Sequence, residues 1–171
     1  MVATGNRPRT GAVQRELRPF GQSLPMALLR AREQVMRTFR PMLAEHGLTE
    51  QQWRVLRLLA DADRPREMGE IASGTLLLGP SLTRIVANLA EVGLVLRWPA
   101  AHDQRRVIVS LSASGRRLAQ RVAPQVEQAY TDIESRFGAD RLAQLLVLLD
   151  ELVDASSADP RSAGLGSRAV S

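Results

Sequence analysis

The chain of 171 residues contains no cysteine and no lysine. Without cysteine there are no disulfides, no thiol chemistry and no sulfur-ligated metal. Without lysine, all 23 basic residues are arginine, whose planar guanidinium fork suits phosphates and guanine edges better than a point charge does. Aromatic residues make up only 4%, so leucine, valine, isoleucine and alanine must build the core. Histidine occurs twice, as His46 and His102, with no H-x-x-x-H pairing, which argues against a metal site. The serines have no histidine at a recognisable spacing, and no Walker or dinucleotide-binding glycine pattern is present. Catalysis therefore has little support, and neither a cofactor nor a metal is expected. No apolar run reaches the roughly 18 residues of a membrane span. The arginines near the N-terminus precede no hydrophobic segment, so no secretory signal is read, and a cytoplasmic protein without a membrane partner is expected.

The formal net charge is +5 and the apolar fraction is 44%, enough for one domain with tails. Residues 1–22 contain Pro8, Pro19, three glycines and four arginines with little periodicity and are expected to be a mobile basic arm. Residues 157–171, rich in Ser, Ala, Gly and Arg, are expected to be a disordered tail. The interval 23–156 has a mostly helical pattern. Ser23 is placed to cap a helix carrying Leu28, Ala31, Val35, Phe39 and Met42 on one stripe, and Gly47 stops it. Thr49-Glu50-Gln51-Gln52 matches a capping box for a helix with Trp53, Leu56 and Ala60 inward. A turn over 61–65 leads to a short helix over 67–74 with Met68, Ile71 and Ala72 inward.

Residues 79–111 are the most informative stretch. Pro80 opens a helix and Gly93 ends it. Leu82, Ile85, Val86 and Leu89 share a narrow apolar face, while Arg84, Ala87, Asn88 and Glu91 point away, with Ser81 and Thr83 on the flanks. Strands follow over Leu94–Trp98 and Arg106–Leu111, separated by the charged turn Ala101-His102-Asp103-Gln104-Arg105-Arg106. Helix, glycine stop, strand, charged turn and strand make a winged helix. The fold class expected is therefore mostly α with a winged helix-turn-helix: six helices and a two-stranded wing. Ser112 caps a long helix running toward Phe137, with a bend expected at Pro124. After Gly138, Leu142, Leu145, Leu146, Leu149, Leu152 and Val153 recur at spacings of three and four.

A helix of this kind fits the major groove of double-stranded DNA, its first turns facing bases and phosphates. Ser81 and Thr83 offer hydroxyls, Arg84 a fork for guanine, and Asn88 an amide for adenine. Arg105 and Arg106 suit a narrow, electronegative minor groove, and Asp103, two residues before Arg105, is placed to orient it. An ordinary solvated helix face and a solvated hairpin are the alternatives. The apolar stripes of the first helix and the last two exceed what so small a winged unit can cover, which favours pairing with a second copy of the chain; a self-contained bundle is the alternative. Arg30, Arg32, His46, Trp53 and Arg57 form a looser group. Of these, Arg30, Arg32 and Trp53 would suit the carboxylate and ring of a small aromatic acid effector, although core and solvent roles are also open to them.

The residues Leu-Thr-x-x-Gln-Trp-x-Val-Leu (48–56), Pro-Ser-Leu-Thr-Arg (80–84), Leu-x-x-x-Gly-Leu-Val (89–95), Asp-x-Arg-Arg (103–106) and Val-x-Leu-Ser-x-x-Gly (109–115), in this order, resemble the MarR family of bacterial transcription regulators. Ser23 to Glu33 resembles a narrower branch, the regulators of homoprotocatechuate degradation operons. The likeness runs from about Arg18 to Val153. It implies a homodimer on a palindromic operator, interlocked through helices in 23–46 and 112–155, with the DNA-binding winged helix at 49–111. It also implies a recognition helix at 80–92, a wing whose Arg105 enters the minor groove braced by Asp103, and repression released by a small phenolic or aromatic acid. The alternatives are a regulator of the same fold without ligand gating, or an antirepressor-type protein-interaction module that binds DNA weakly.

Overall fold

A computed structural model describes residues 17–157. The expectations for residues 1–16 and 158–171 lie outside the described residues. The chain divides into two units, the first ending at Arg37. In the first, Phe20–Gln22 form a short 3-10 turn, so part of the segment read as a mobile arm is ordered. The Ser23 hydroxyl donates to the Phe20 carbonyl at 2.9 Å, and Arg30 donates to the Gly21 carbonyl at 2.8 Å. Helix α1 (Leu24–Glu45) begins here, and its residues Leu28 and Val35 are exposed.

The second unit runs from Thr38. It holds the end of α1, then α2 (Glu50–Asp61), strand β1 (Arg66–Glu67), α3 (Met68–Thr75), α4 (Gly79–Glu91), β2 (Val95–Ala100), β3 (Asp103–Leu111), α5 (Ala113–Phe137) and α6 (Ala139–Ser157). The six helices and the wing are those the periodicity predicts. The capping box at α2 is present: the Gln52 amide donates to the Thr49 hydroxyl at 3.2 Å, and the Thr49 amide donates to Gln52 Oε1 at 2.9 Å. Two backbone donors that an α-helix leaves unpaired at its start are thereby satisfied.

Two expectations need correction. The wing sheet has three strands, in the order β1-β3-β2, all antiparallel. The third strand is only two residues long, with Arg66 facing Val109 and Glu67 facing Ile108, too short to show an alternating pattern. The buried face of α2 is Val55, Leu56 and Leu59, whereas Trp53 and Ala60 lie half-buried beside it. By contrast Leu82, Ile85, Val86 and Leu89 of α4 are all buried, as their spacing requires. They pack in a core with Ile71, Val95 and Val109. Between α4 and β2, Gly93 adopts φ +73, a left-handed conformation that costs glycine little and lets the chain turn at once into the sheet.

At the other end of the second unit, Phe39 of α1 packs on Tyr130 of α5 with ring centroids 5.2 Å apart. His46 and Gln125 share a hydrogen bond of 2.8 Å. Helix α6 has no buried residue among those described, and Leu145, Leu146, Val147, Leu148 and Val153 are exposed.

Candidate nucleic-acid interface

Helices α3 and α4 are joined by Leu76-Leu77-Leu78, and together they form a helix-turn-helix whose second helix carries the polar residues singled out above. Ser81 is half-buried in the first turn of α4, while Thr83, Arg84 and Asn88 are exposed. The Thr83 hydroxyl donates to the Gly79 carbonyl at 3.0 Å, which leaves its lone pairs outward as acceptors. Asn88 accepts a hydrogen bond from Gln52 Nε2 at 2.7 Å, so α2 positions its side-chain amide.

The wing separates its two arginines. Pro99 faces Val107, yet the next residue, Ala100, faces Asp103. Gln104, Arg105 and Arg106 thus have no partner on β2 in this register. Proline lacks the N–H that would continue the ladder, and an irregularity of this kind re-aims side chains. Arg105 projects with its side chain 93% exposed. Asp103 Oδ1 accepts from the Arg105 backbone amide at 3.0 Å and from its Nε at 3.3 Å, fixing the root of the side chain and leaving its terminal donors outward. Arg106 is held differently: its guanidinium is bound to the Glu67 carboxylate. Arg106 therefore ties the wing to the start of α3. A cleft of about 500 Å³ between wing and helix-turn-helix brings Thr83, Val86, Arg97, Arg105, Arg106 and Glu67 together. Arg97 is a cleft residue that the sequence reading missed. On an isolated strand it is one more exposed arginine, and only the pairing of β2 with β3 puts it in this company.

The start of α3 is locked by charge. Glu70 accepts from Arg64 through both oxygens at 2.5 and 3.2 Å and from the Glu67 backbone amide at 2.8 Å. The Arg64 hydrogen bonds, then the backbone amide, lower its carboxyl from the ordinary 4.5 to about 2. A carboxyl depressed on folding contributes stability that is fully present above its unfolded value and is lost as pH falls toward its folded value. Acid unfolding of Glu70→Gln is therefore expected to depend less on pH between about 4.5 and about 2 than that of the parent. Superimposable acid transitions in circular dichroism would show that the lock contributes nothing.

The MarR family profile matches residues 46–106, which is the interval from the end of α1 to the tip of the wing. The Escherichia coli homoprotocatechuate degradative operon repressor is 43% identical over 131 residues, spanning 77% of this chain and 88% of that protein. The chain belongs to the MarR family. It is thus a DNA-binding transcriptional regulator rather than an enzyme. The Neisseria gonorrhoeae HTH-type transcriptional regulator FarR is 38% identical, over 76% of this chain and 88% of its own. Among solved structures, NadR in complex with 4-hydroxyphenylacetate is 34% identical, with a TM-score of 0.69 over 84% of this chain and 99% of that one.

The residues considered for an effector are distributed over both units. In the first, Arg30 is held by Gly21, and Arg32 donates to Glu33 Oε1 at 2.7 Å. Positions two apart on an α-helix are separated by about 200°, so one carboxylate meets one of these guanidinium groups, not both. In the second unit, Trp53 is half-buried on α2, immediately after Gln52 and its hydrogen bond to Asn88 of α4. No helix among the described residues is long and apolar enough to cross a membrane.

Proposed function

We propose that this protein is a cytoplasmic, homodimeric repressor of an operon for breakdown of an aromatic acid, and that binding of such an acid releases it from its operator. The observation that carries this reading is the 43% identity, across 88% of its length, with a repressor named for the homoprotocatechuate operon. The likeness to a regulator solved with 4-hydroxyphenylacetate supports it. The exposed leucines of α6 and of the start of α1 supply the apolar surface that a dimer would cover. Two copies would present two recognition helices to half-sites one turn of DNA apart. In this reading Ser81, Thr83, Arg84 and Asn88 face the major groove and Arg105 the minor groove, while Trp53 of the second unit receives the ring of the acid.

Release requires the acid to bind the DNA-incompetent dimer more tightly, and a tenfold loss of operator affinity needs a difference of about 1.4 kcal/mol. Sedimentation at micromolar concentration should give a dimer. A palindromic duplex of about two helical turns from the control region of the protein's own gene should bind it. 4-Hydroxyphenylacetate should then lower that affinity, and Trp53→Ala should blunt the response while leaving ligand-free binding intact. DNA binding unchanged by 4-hydroxyphenylacetate and by homoprotocatechuate at millimolar concentration would remove the ligand-gated part of the proposal.

A further inference from the structure

The turn between α3 and α4 contains three consecutive leucines of unequal fate. Leu77 is 9% exposed, whereas Leu76 is 86% and Leu78 is 78% exposed. Leu76 adopts φ +53, the only positive φ among the described non-glycine residues, and that left-handed turn is what buries Leu77 and turns Leu78 outward. Leu78 is the N-cap of α4 and makes no side-chain capping hydrogen bond. Serine, threonine, aspartate and asparagine are strongly preferred at that position because they accept a hydrogen bond from the first turn. Leu78 thus neither caps the helix nor fills the core. Beside it, a side chain at Gly79 would meet nothing within 4 Å, so an approaching surface can come close to the backbone at this point.

We propose that Leu78 reads thymine: it enters the major groove ahead of α4 and packs against the C5-methyl group of one thymine in each half-site. This rests on the reading of α4 as the recognition helix. The thymine methyl is the apolar group on the base edges of the major groove, and apolar side chains discriminate A·T pairs by touching it. Leu78 lies at the leading end of the helix whose outer face carries Thr83 and Arg84, so the leucine extends a polar reading surface with one apolar contact. The polar residues of α4 address hydrogen-bonding edges. Leu78 addresses the methyl, which no hydrogen-bonding group can recognise.

The test uses the full-length dimer and the tightest palindromic duplex recovered from a randomised pool. Thymines are replaced by deoxyuridine at one symmetric pair of positions at a time, which keeps base pairing and removes only the methyl. At one such pair the parent should lose about fourfold for each methyl, the worth of one buried carbon. Leu78→Ala should bind the unmodified duplex more weakly and be indifferent to deoxyuridine at that pair. Leu78→Met, still apolar and of similar size, should regain the sensitivity. Equal deoxyuridine penalties in the parent and in Leu78→Ala at every position would overturn the assignment, as would the absence of any penalty in the parent. If no duplex is recovered from the pool, α4 is not a recognition helix and both readings fall together.

Discussion

Arg105→Ala is expected to remove most operator affinity while leaving fold and dimer unchanged. The side chain is 93% exposed, so its truncation costs the core nothing. In the groove the balance is different. A narrow minor groove concentrates negative potential, and losing one well-placed arginine costs about 1–3 kcal/mol. A dimer carries two wings, so the loss should be about 30-fold or more at moderate salt. The salt dependence should also weaken, because fewer counterions are displaced. Asp103→Ala should do less damage. It frees Arg105 from two hydrogen bonds, but it also removes a negative charge from a surface that would face phosphates in the proposed complex, and the second effect offsets part of the first. Arg106→Ala separates the two arginines: its partner is Glu67, so its expected cost falls on the attachment of the wing. Fluorescence anisotropy with the operator duplex measures all three. An Arg105→Ala protein that binds as the parent does would refute the assignment of the wing tip.

Gly115→Ala should be among the most destabilising single methyl additions in the chain. A Cβ at this position would stand 2.0 Å from the Leu94 carbonyl oxygen and 3.0 Å from its carbon. Both are backbone atoms, so no rotamer change relieves the clash. The Leu94 carbonyl also accepts from the Ser112 amide at 3.1 Å, and Ser112 in turn caps α5 by accepting from the Gly115 amide at 3.0 Å. The hydroxyls of Ser112 and Ser114 both donate to the Gly93 carbonyl at 2.6 Å. Moving any part of this junction disturbs the link between the winged unit and α5. Overpacking of this severity costs about 3 kcal/mol, a fall of about 6–12 °C in melting temperature for a chain of this size. Gly69→Ala is the control. Its Cβ would meet nothing within 4 Å, and alanine is the better helix former, so its melting temperature should hold or rise. Equal melting temperatures for the parent and Gly115→Ala would mean that the junction yields, contrary to its geometry.

The features legible in the sequence are those written at short spacing. Thr49 and Gln52, three residues apart, form their capping box. The buried face of α4 follows from leucines, isoleucine and valine three and four apart. Gly93 stops the helix, and Ser112 caps the next. Asp103 lies close enough to Arg105 for its contact to be expected from the turn itself. These interactions close within one or two turns of backbone, and local stereochemistry decides them. The tertiary structure alone decided the others. Strand β1 exists because Val109 and Ile108 offer an edge to Arg66 and Glu67. Arg106 is bound by a carboxylate 39 positions earlier, and Asn88 is held by Gln52 across 36 positions. Gly115 is required by a carbonyl on a different element. Trp53 yields the core to Val55, Leu56 and Leu59. In each case two segments remote in the chain meet through packing, and neither segment carries a periodicity or motif that names its partner.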